Sequence, residues 1–295
     1  MRTERLRGYG LALTAAALWA TLGLFYHRLE AHSLPHLTIV FFRATVAALI
    51  LFPILGWRQP NSLKLERRDW LLFAALGLFG VAAFYVVYIY AISLTGMGVA
   101  AVLMYTAPAW VTLISALFFK ERLTWLKIGA LLLACAGCAL VGRVYDLDSV
   151  RLNLPGILAG LGAGLTYGLY TIFSKVAQHR HTAWGTLAYA LGLGGLFMLP
   201  LQPLPDVGRA LTTPAILFWL LMLGLIPTLV GGVAFNAALR RIPASDASIV
   251  ATLEPVIAAL LGWAFLGEQL ESPQLLGAGL ILIAVITLRR KTLTN

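Results

Sequence analysis

Two ionisable residues stand inside long apolar runs. Glu254 lies in "TLEPVIAALLGWAFLGEQL", Thr252 to Leu270, beside Pro255. Arg43 lies near the start of "FFRATVAALILFP", Phe41 to Pro53. An isolated charge in an apolar medium is costly, and ionisable groups at such depth usually have a use. Glu254 can carry a proton or meet a substrate ammonium; the alternative is a neutral carboxyl bonded to a neighbouring helix. Arg43 can meet a substrate carboxylate or pair with Glu254; the alternative is packing, with its guanidinium reaching outward. The aromatic candidates around them are Trp19, Tyr85, Tyr88, Tyr105 and Tyr167. Such rings stack on apolar or aromatic cargo and hold cations on their faces, while core packing is the plainer account of each. Asn236 adds a polar group, as a cavity contact or as a bond between helices. These eight are the candidate substrate-binding residues.

The elements that must position them are membrane helices. The 295 residues are 60% hydrophobic and 12% charged, against about 25% charged in ordinary globular domains. No Lys, Arg, Asp or Glu occurs from Trp70 to Phe119, or from Ala210 to Leu239. A bilayer crossing takes about 20 mainly apolar residues. Ten spans fit: 8–27, 36–56, 70–92, 98–119, 124–142, 154–174, 182–203, 214–238, 247–267 and 272–288. The loops are short and leave no room for a soluble domain. The first span follows three arginines but lacks a clear cleavage site, so it reads as a retained helix.

Orientation follows from the cations. With the N-terminus in the cytoplasm, 17 of the 22 Lys and Arg fall on cytoplasmic segments. Arg28, Arg143, Arg151 and Arg209 fall outside, and Arg43 lies within a span. Both termini are then cytoplasmic. The net charge of +10 suits contact with anionic lipid and calls for no nucleic acid.

The chain repeats itself. "YTAPAWVTLISALFFKERL", Tyr105 to Leu123, matches the Glu254 stretch at an offset of 147, so that Pro108 falls on Pro255 and Glu121 on Glu268. Gly80 falls on Pro227 at the same offset, and Trp19 on Tyr167 at 148. Small residues recur every fourth position as Gly8, Ala12, Ala16 and Ala20, and again as Gly156, Gly160, Gly164 and Gly168. That spacing lets helices approach closely. The halves, 1–147 and 148–295, hold five spans each, and an odd number makes the second half enter from the other side. Inverted repeats with broken helices at mid-membrane are a transporter architecture. Pro108 and Pro255, with Gly80 and Pro227 in the neighbouring spans, are the candidate gating positions; the alternative for the two prolines is a static kink satisfied by a neighbouring helix. Glu121 and Glu268 are expected to cap the next helix in each half. Glu254 and Arg43 break the symmetry, because their counterparts are Ala107 and Ala190.

Motifs for enzyme chemistry are absent: no H-E-x-x-H, G-x-S-x-G or phosphate loop occurs. Cys135 and Cys138 lie inside an apolar run away from the histidines, which reads as packing rather than a metal site. No catalytic residue, metal or cofactor is expected.

The pattern of a proline, twelve residues, then Lys-Glu or Gly-Glu, followed by "GALLLACAG" or "GAGLILIA", resembles the repeated domain of the EamA family within the drug/metabolite transporter superfamily. "LEPVIAALLGWAFLGEQL" is similar to its second copy and "FFRATVAALILFP" to its first. The resemblance spans nearly the whole chain and is strongest toward bacterial exporters of amino acids and related metabolites. It implies an all-α fold of ten transmembrane helices in two inverted five-helix repeats, a central cavity and a bacterial inner membrane. The implied function is export of small metabolites, aromatic or other apolar amino acids foremost, by alternating access. The partners expected are a small-molecule substrate and membrane lipid, with the protein a monomer or weak dimer. The alternatives are a nucleotide-sugar or sugar-phosphate exchanger, which would want several buried cations, and a non-transporting scaffold or scramblase.

Overall fold

A computed structural model describes residues 2–146 and 153–294. The expected boundary between the halves, at 147/148, and Arg151 lie outside the described residues, as do the side chains of Arg2, Arg289, Arg290 and Lys291. All regular structure among the described residues is helical. Eight helices are long and apolar enough to cross a membrane: Thr3–Glu30, His36–Arg58, Asp69–Thr95, Met97–Phe118, Leu154–Ala177, Ala183–Leu201, Pro214–Leu239 and Ala244–Leu266. Two shorter apolar helices, Trp125–Val141 and Ser272–Leu288, complete the set. The chain is a multi-pass membrane protein.

Several of these are interrupted. The first is α1 (Arg2–Ala20) and α2 (Leu22–Glu30), broken at Thr21 where the sequence predicted one continuous span. Then come α3 (His36–Arg58), and α4 (Asp69–Ala75) joined to α5 (Phe84–Thr95) through a π-helical stretch, Leu76–Ala83. Next are α6 (Met97–Met104) and α7 (Ala107–Phe118), parted at Tyr105 and Thr106, and α8 (Trp125–Val141). The rest are α9 (Leu154–Ala177), α10 (Ala183–Met198), α11 (Leu204–Thr212), then α12 (Pro214–Leu223) and α13 (Gly231–Leu239) joined by a second π stretch, Gly224–Val230. Last are α14 (Ala244–Ala251) and α15 (Leu253–Leu261), parted at Thr252, and α16 (Ser272–Thr294). The interval 204–213 falls between two expected spans. It is a short amphipathic helix, with Ala210 buried and Leu204 and Leu211 exposed.

Three helix starts, those of α8, α9 and α10, carry polar side-chain caps. Thr124 accepts from the Lys127 amide at 3.3 Å, Asn153 from Gly156 at 2.7 Å and Thr182 from Gly185 at 3.1 Å. The expectation that Glu121 caps the next helix is therefore corrected, because Thr124 caps α8. Helix ends gather at two faces. At the N-terminal face Arg241 meets Glu4 at 3.1 Å and Arg180 meets Asp69 at 2.9 Å. At the opposite face Asn153 donates to the Leu94 carbonyl at 2.8 Å, Arg209 donates to the Ser33 carbonyl at 2.7 Å, and Arg143 pairs with Glu271.

The two sequence halves interlock. α1 packs against α13, α14 and α15, while α9 packs against α5, α6 and α7; α8 and α16 lie side by side. The four-residue stripes make the exchange possible. Ala12 and Ala16 are fully buried, and a Cβ on Gly8 would lie 2.7 Å from Ile242. On α9, a Cβ on Gly160 would meet the Leu103 Cβ at 2.6 Å, and one on Gly164 the Leu103 carbonyl at 2.8 Å. The backbone cannot yield to such overlap without moving α6. Gly164→Ala should therefore cost about 1–3 kcal/mol and lower the thermal unfolding midpoint in detergent. Gly10→Ala, where a Cβ meets nothing within 4 Å, should leave that midpoint unchanged.

Candidate substrate cavity

The interruptions surround a central cavity of about 490 Å³, within the range typical of small-molecule sites. Trp19, Arg43, Tyr85, Tyr88, Tyr105, Tyr167 and Glu254 line it, as do Gly80 and Pro255. Asn236 does not. It is fully buried behind the wall, donating to the Tyr170 hydroxyl at 2.8 Å and accepting from Gln178 at 3.0 Å. Its role is to hold Tyr170, which does line the cavity. Pro108 and Pro227 are buried outside the lining.

Each polar group is placed by a helix irregularity. Pro108 and Pro255 sit in the first turns of α7 and α15, where a missing N–H leaves no bond unmade. The breaks fall just before them. Glu254 thus occupies the start of α15, the positive end of the half-helix dipole, which favours a carboxylate. Tyr105, at the other break, lines the same cavity as Glu254. The π stretch around Pro227 turns Thr228 toward α3. The Thr228 hydroxyl donates to the Leu223 carbonyl at 2.8 Å and accepts from Arg43 Nε at 3.0 Å. The Arg43 guanidinium lies 5.0 Å from the Tyr85 ring centroid, with Tyr26 in the same stretch of lining. Arg43 and Glu254 attract one another through space, but among the described residues no ion pair joins them, so both keep bonding capacity toward the cavity.

The aromatic wall is continuous. Trp19 meets Tyr167 edge-on at 6.3 Å and Phe235 at 5.0 Å; Phe84 stacks on Tyr167 at 5.2 Å and on Tyr88 at 5.9 Å. The repeat-matched pair Trp19 and Tyr167 are thus neighbours. Sequence reasoning missed Tyr26, Phe84, Tyr170 and Thr228. Tyr170 lies one helix turn from Tyr167, a spacing that could have found it. Gly80 is needed for close approach, since a Cβ there would lie 2.9 Å from the Tyr170 Cα.

The cavity reaches the opposite face, where His36, Met97, Gly98, Glu268 and Gln274 line it. The N-terminal face is sealed by a polar network of residues outside the cavity lining. The Glu121 carboxylate accepts from the Ala244 amide at 3.0 Å and from the Ser245 hydroxyl, so it caps α14. Lys127 donates to Ser245 at 2.6 Å and to Glu121 at 3.2 Å, and pairs with the Asp246 carboxylate at 3.4 Å. Tyr9 donates to Asp246 at 2.6 Å, and Lys175 donates to the Leu239 and Ile242 carbonyls. Cys138 lines the cavity from α8.

Comparison with known proteins agrees with this architecture. Residues 6–143 and 154–290 each match the EamA-like transporter family. An uncharacterized transporter of Archaeoglobus fulgidus is 34% identical over 68% of this chain and 69% of its own length. A probable terminal-alkyne amino-acid exporter of Streptantibioticus cattleyicolor is 28% identical over 97% and 94%, respectively. The pseudopaline exporter CntI of Pseudomonas aeruginosa is 26% identical over 96% of each chain. A crystal structure that is 18% identical overlays with a TM-score of 0.77, covering 96% of this chain and 98% of that one, and so shares the fold. The chain belongs to the EamA-like transporter family.

Proposed function

We propose that this protein exports small zwitterionic metabolites, amino acids with apolar or aromatic side chains foremost, by alternating access. The observation that carries the reading is the convergence of Arg43 and Glu254, from different halves of the chain, in one aromatic-walled cavity. A carboxylate on Arg43 and an ammonium on Glu254 would orient an α-amino acid, with its side chain against Trp19, Phe84, Tyr88 and Tyr167. Arg43 is the one Lys or Arg in the lining among the described residues, which suits a single carboxylate better than a sugar phosphate. The exporter names of two relatives, one of them for an amino acid, fit this cargo class.

The scaffold we infer is ten helices in two inverted five-helix repeats, 1–147 and 148–295. Three features support it: the family matches once in each half, the π stretches recur at Leu76–Ala83 and Gly224–Val230, and the half-helix breaks recur near Pro108 and Pro255. The shorter helices α8 and α16 count as spans. The 17 residues of α8 rise about 25 Å, and a thinner local bilayer accommodates that length. The bias of Lys and Arg toward the N-terminal face supports cytoplasmic termini in an inner membrane. No stable partner subunit is needed for the cavity, which one chain completes.

Counterflow of labelled phenylalanine, leucine, glutamate and glucose 6-phosphate into reconstituted vesicles tests the cargo. Uptake of the apolar amino acids alone is expected; sugar-phosphate uptake without amino-acid uptake overturns the reading. Trp19→Ala and Tyr105→Ala should each reduce amino-acid transport about tenfold, the equivalent of one lost stacking or hydrogen-bonding contact, while the protein elutes as folded in detergent. Glu254→Gln keeps shape but cannot ionise. It should flatten the pH dependence of transport if the site moves a proton, and an unchanged profile would reject that role. Pro108→Ala and Pro255→Ala restore a backbone donor and let the half-helices fuse. The two variants should shift the labelling of single cysteines at the two ends of the cavity in opposite directions.

A further inference from the structure

Glu121 does something its sequence neighbourhood does not announce: it reaches across to the other half and caps α14. α14 has no cap of its own, since Pro243 stands at the cap position and offers no side-chain acceptor. The repeat-matched position in the first half, 147 residues earlier, is Gly96, which precedes α6. Gly96 has no side chain either, adopts φ +82°, and leaves α6 without a side-chain cap. The residue matched to Glu121 is Glu268. Glu268 is exposed at the mouth of the cavity, against Gly262, where Met97 and Gly98, the first residues of α6, also line it, and its carboxylate makes no hydrogen bond among the described residues. One end of the molecule therefore shows a made cap over a closed face. The other shows the same parts, unjoined, around an open one.

We propose that Glu268 is the latch of the opposite face. When the cavity closes on that side, the Glu268 carboxylate caps the amides of Met97 and Gly98 as Glu121 caps Ala244, and the Glu121 cap is released at the other end. The proposal rests on the inverted-repeat, alternating-access reading above. It also sets the relative strength of the two closures. Glu121 is braced by Lys127, and Lys127 by Asp246. The matched residues at the other face are Gln274 for Lys127 and Val99 for Asp246. Lacking those charges, the Glu268 latch is the weaker, so the empty protein rests closed at its N-terminal face and open at the other, as found here.

The test uses the full chain in vesicles, in a background without Cys135 and Cys138, with Ile92→Cys as reporter of access from the opposite face; Ile92 lines the cavity there. Gln274→Lys supplies the missing brace and should slow labelling of the reporter at least about fivefold, the effect of one charge-assisted hydrogen bond. Adding Glu268→Gln should restore the parent rate. Separately, a cysteine pair at positions 97 and 268 should cross-link, and the cross-link should block labelling at 92. If Gln274→Lys slows labelling as much in the presence of Glu268→Gln, or if the pair never cross-links, the latch is wrong. Labelling needs no cargo, so these outcomes are read independently of the counterflow panel: failed amino-acid uptake with a working latch would reject the cargo alone.

Discussion

A backbone group released inside a bilayer has no water to bond, and every break in a spanning helix must be repaired from within the protein. This chain uses the same repair at four interruptions. The hydroxyls of Thr21, Thr106 and Thr252 donate to the carbonyls three residues earlier, Leu18, Leu103 and Ile249, at 2.6, 2.7 and 2.6 Å. Thr228 donates five residues back, to Leu223, at the π stretch. The cavity depends on these repairs. Without them the helices would run continuous and apolar from face to face, and no backbone irregularity would turn Glu254, Tyr105 or the Arg43 partner Thr228 inward.

A repaired break is also a place where polarity is admitted cheaply. Glu254 stands in the first turn of a half-helix rather than mid-helix, where the helix dipole favours a carboxylate. Arg43 is held by a hydroxyl and a tyrosine ring rather than by a counter-charge. Among the described residues neither group is locked in a tight ion pair, whose rupture would oppose the entry of a ligand. The site is thus polar in two spots, apolar between them, and supported by residues such as Asn236 that never touch the cavity.

Much of this was legible from residue types and spacing. The apolar runs gave the helices to within a few residues, and Trp19 and Tyr167, matched by the repeat and expected in the cavity, both line it. The proline positions located two breaks. What escaped was whatever depends on rotation about a helix axis or on contact between distant segments. Gly80 and Pro227 mark the two π stretches, but nothing in composition gives the shift in side-chain phase that these produce, so Thr228 passed unnoticed, and only the structure decides for Asn236 between a cavity contact and the bond between helices that it makes. The Glu121 cap spans 123 residues of sequence, and a local rule naturally assigned it to the helix that follows. Helix α11 was hidden by its prolines, Pro203 and Pro205, which read as turn residues and serve here to start a helix.

The π stretches carry a further consequence. Each stores one surplus residue in its helix, as a dislocation stores an extra row in a crystal. In an α-helix one residue corresponds to about 100° of rotation. Passing the surplus along by a turn would spin the side chains it crosses by that amount while leaving both helix ends where they are. Tyr85 and Tyr88 lie just beyond one such stretch, and Thr228 lies within the other. Both walls of the cavity are therefore mounted on segments whose facing can change without any change in length.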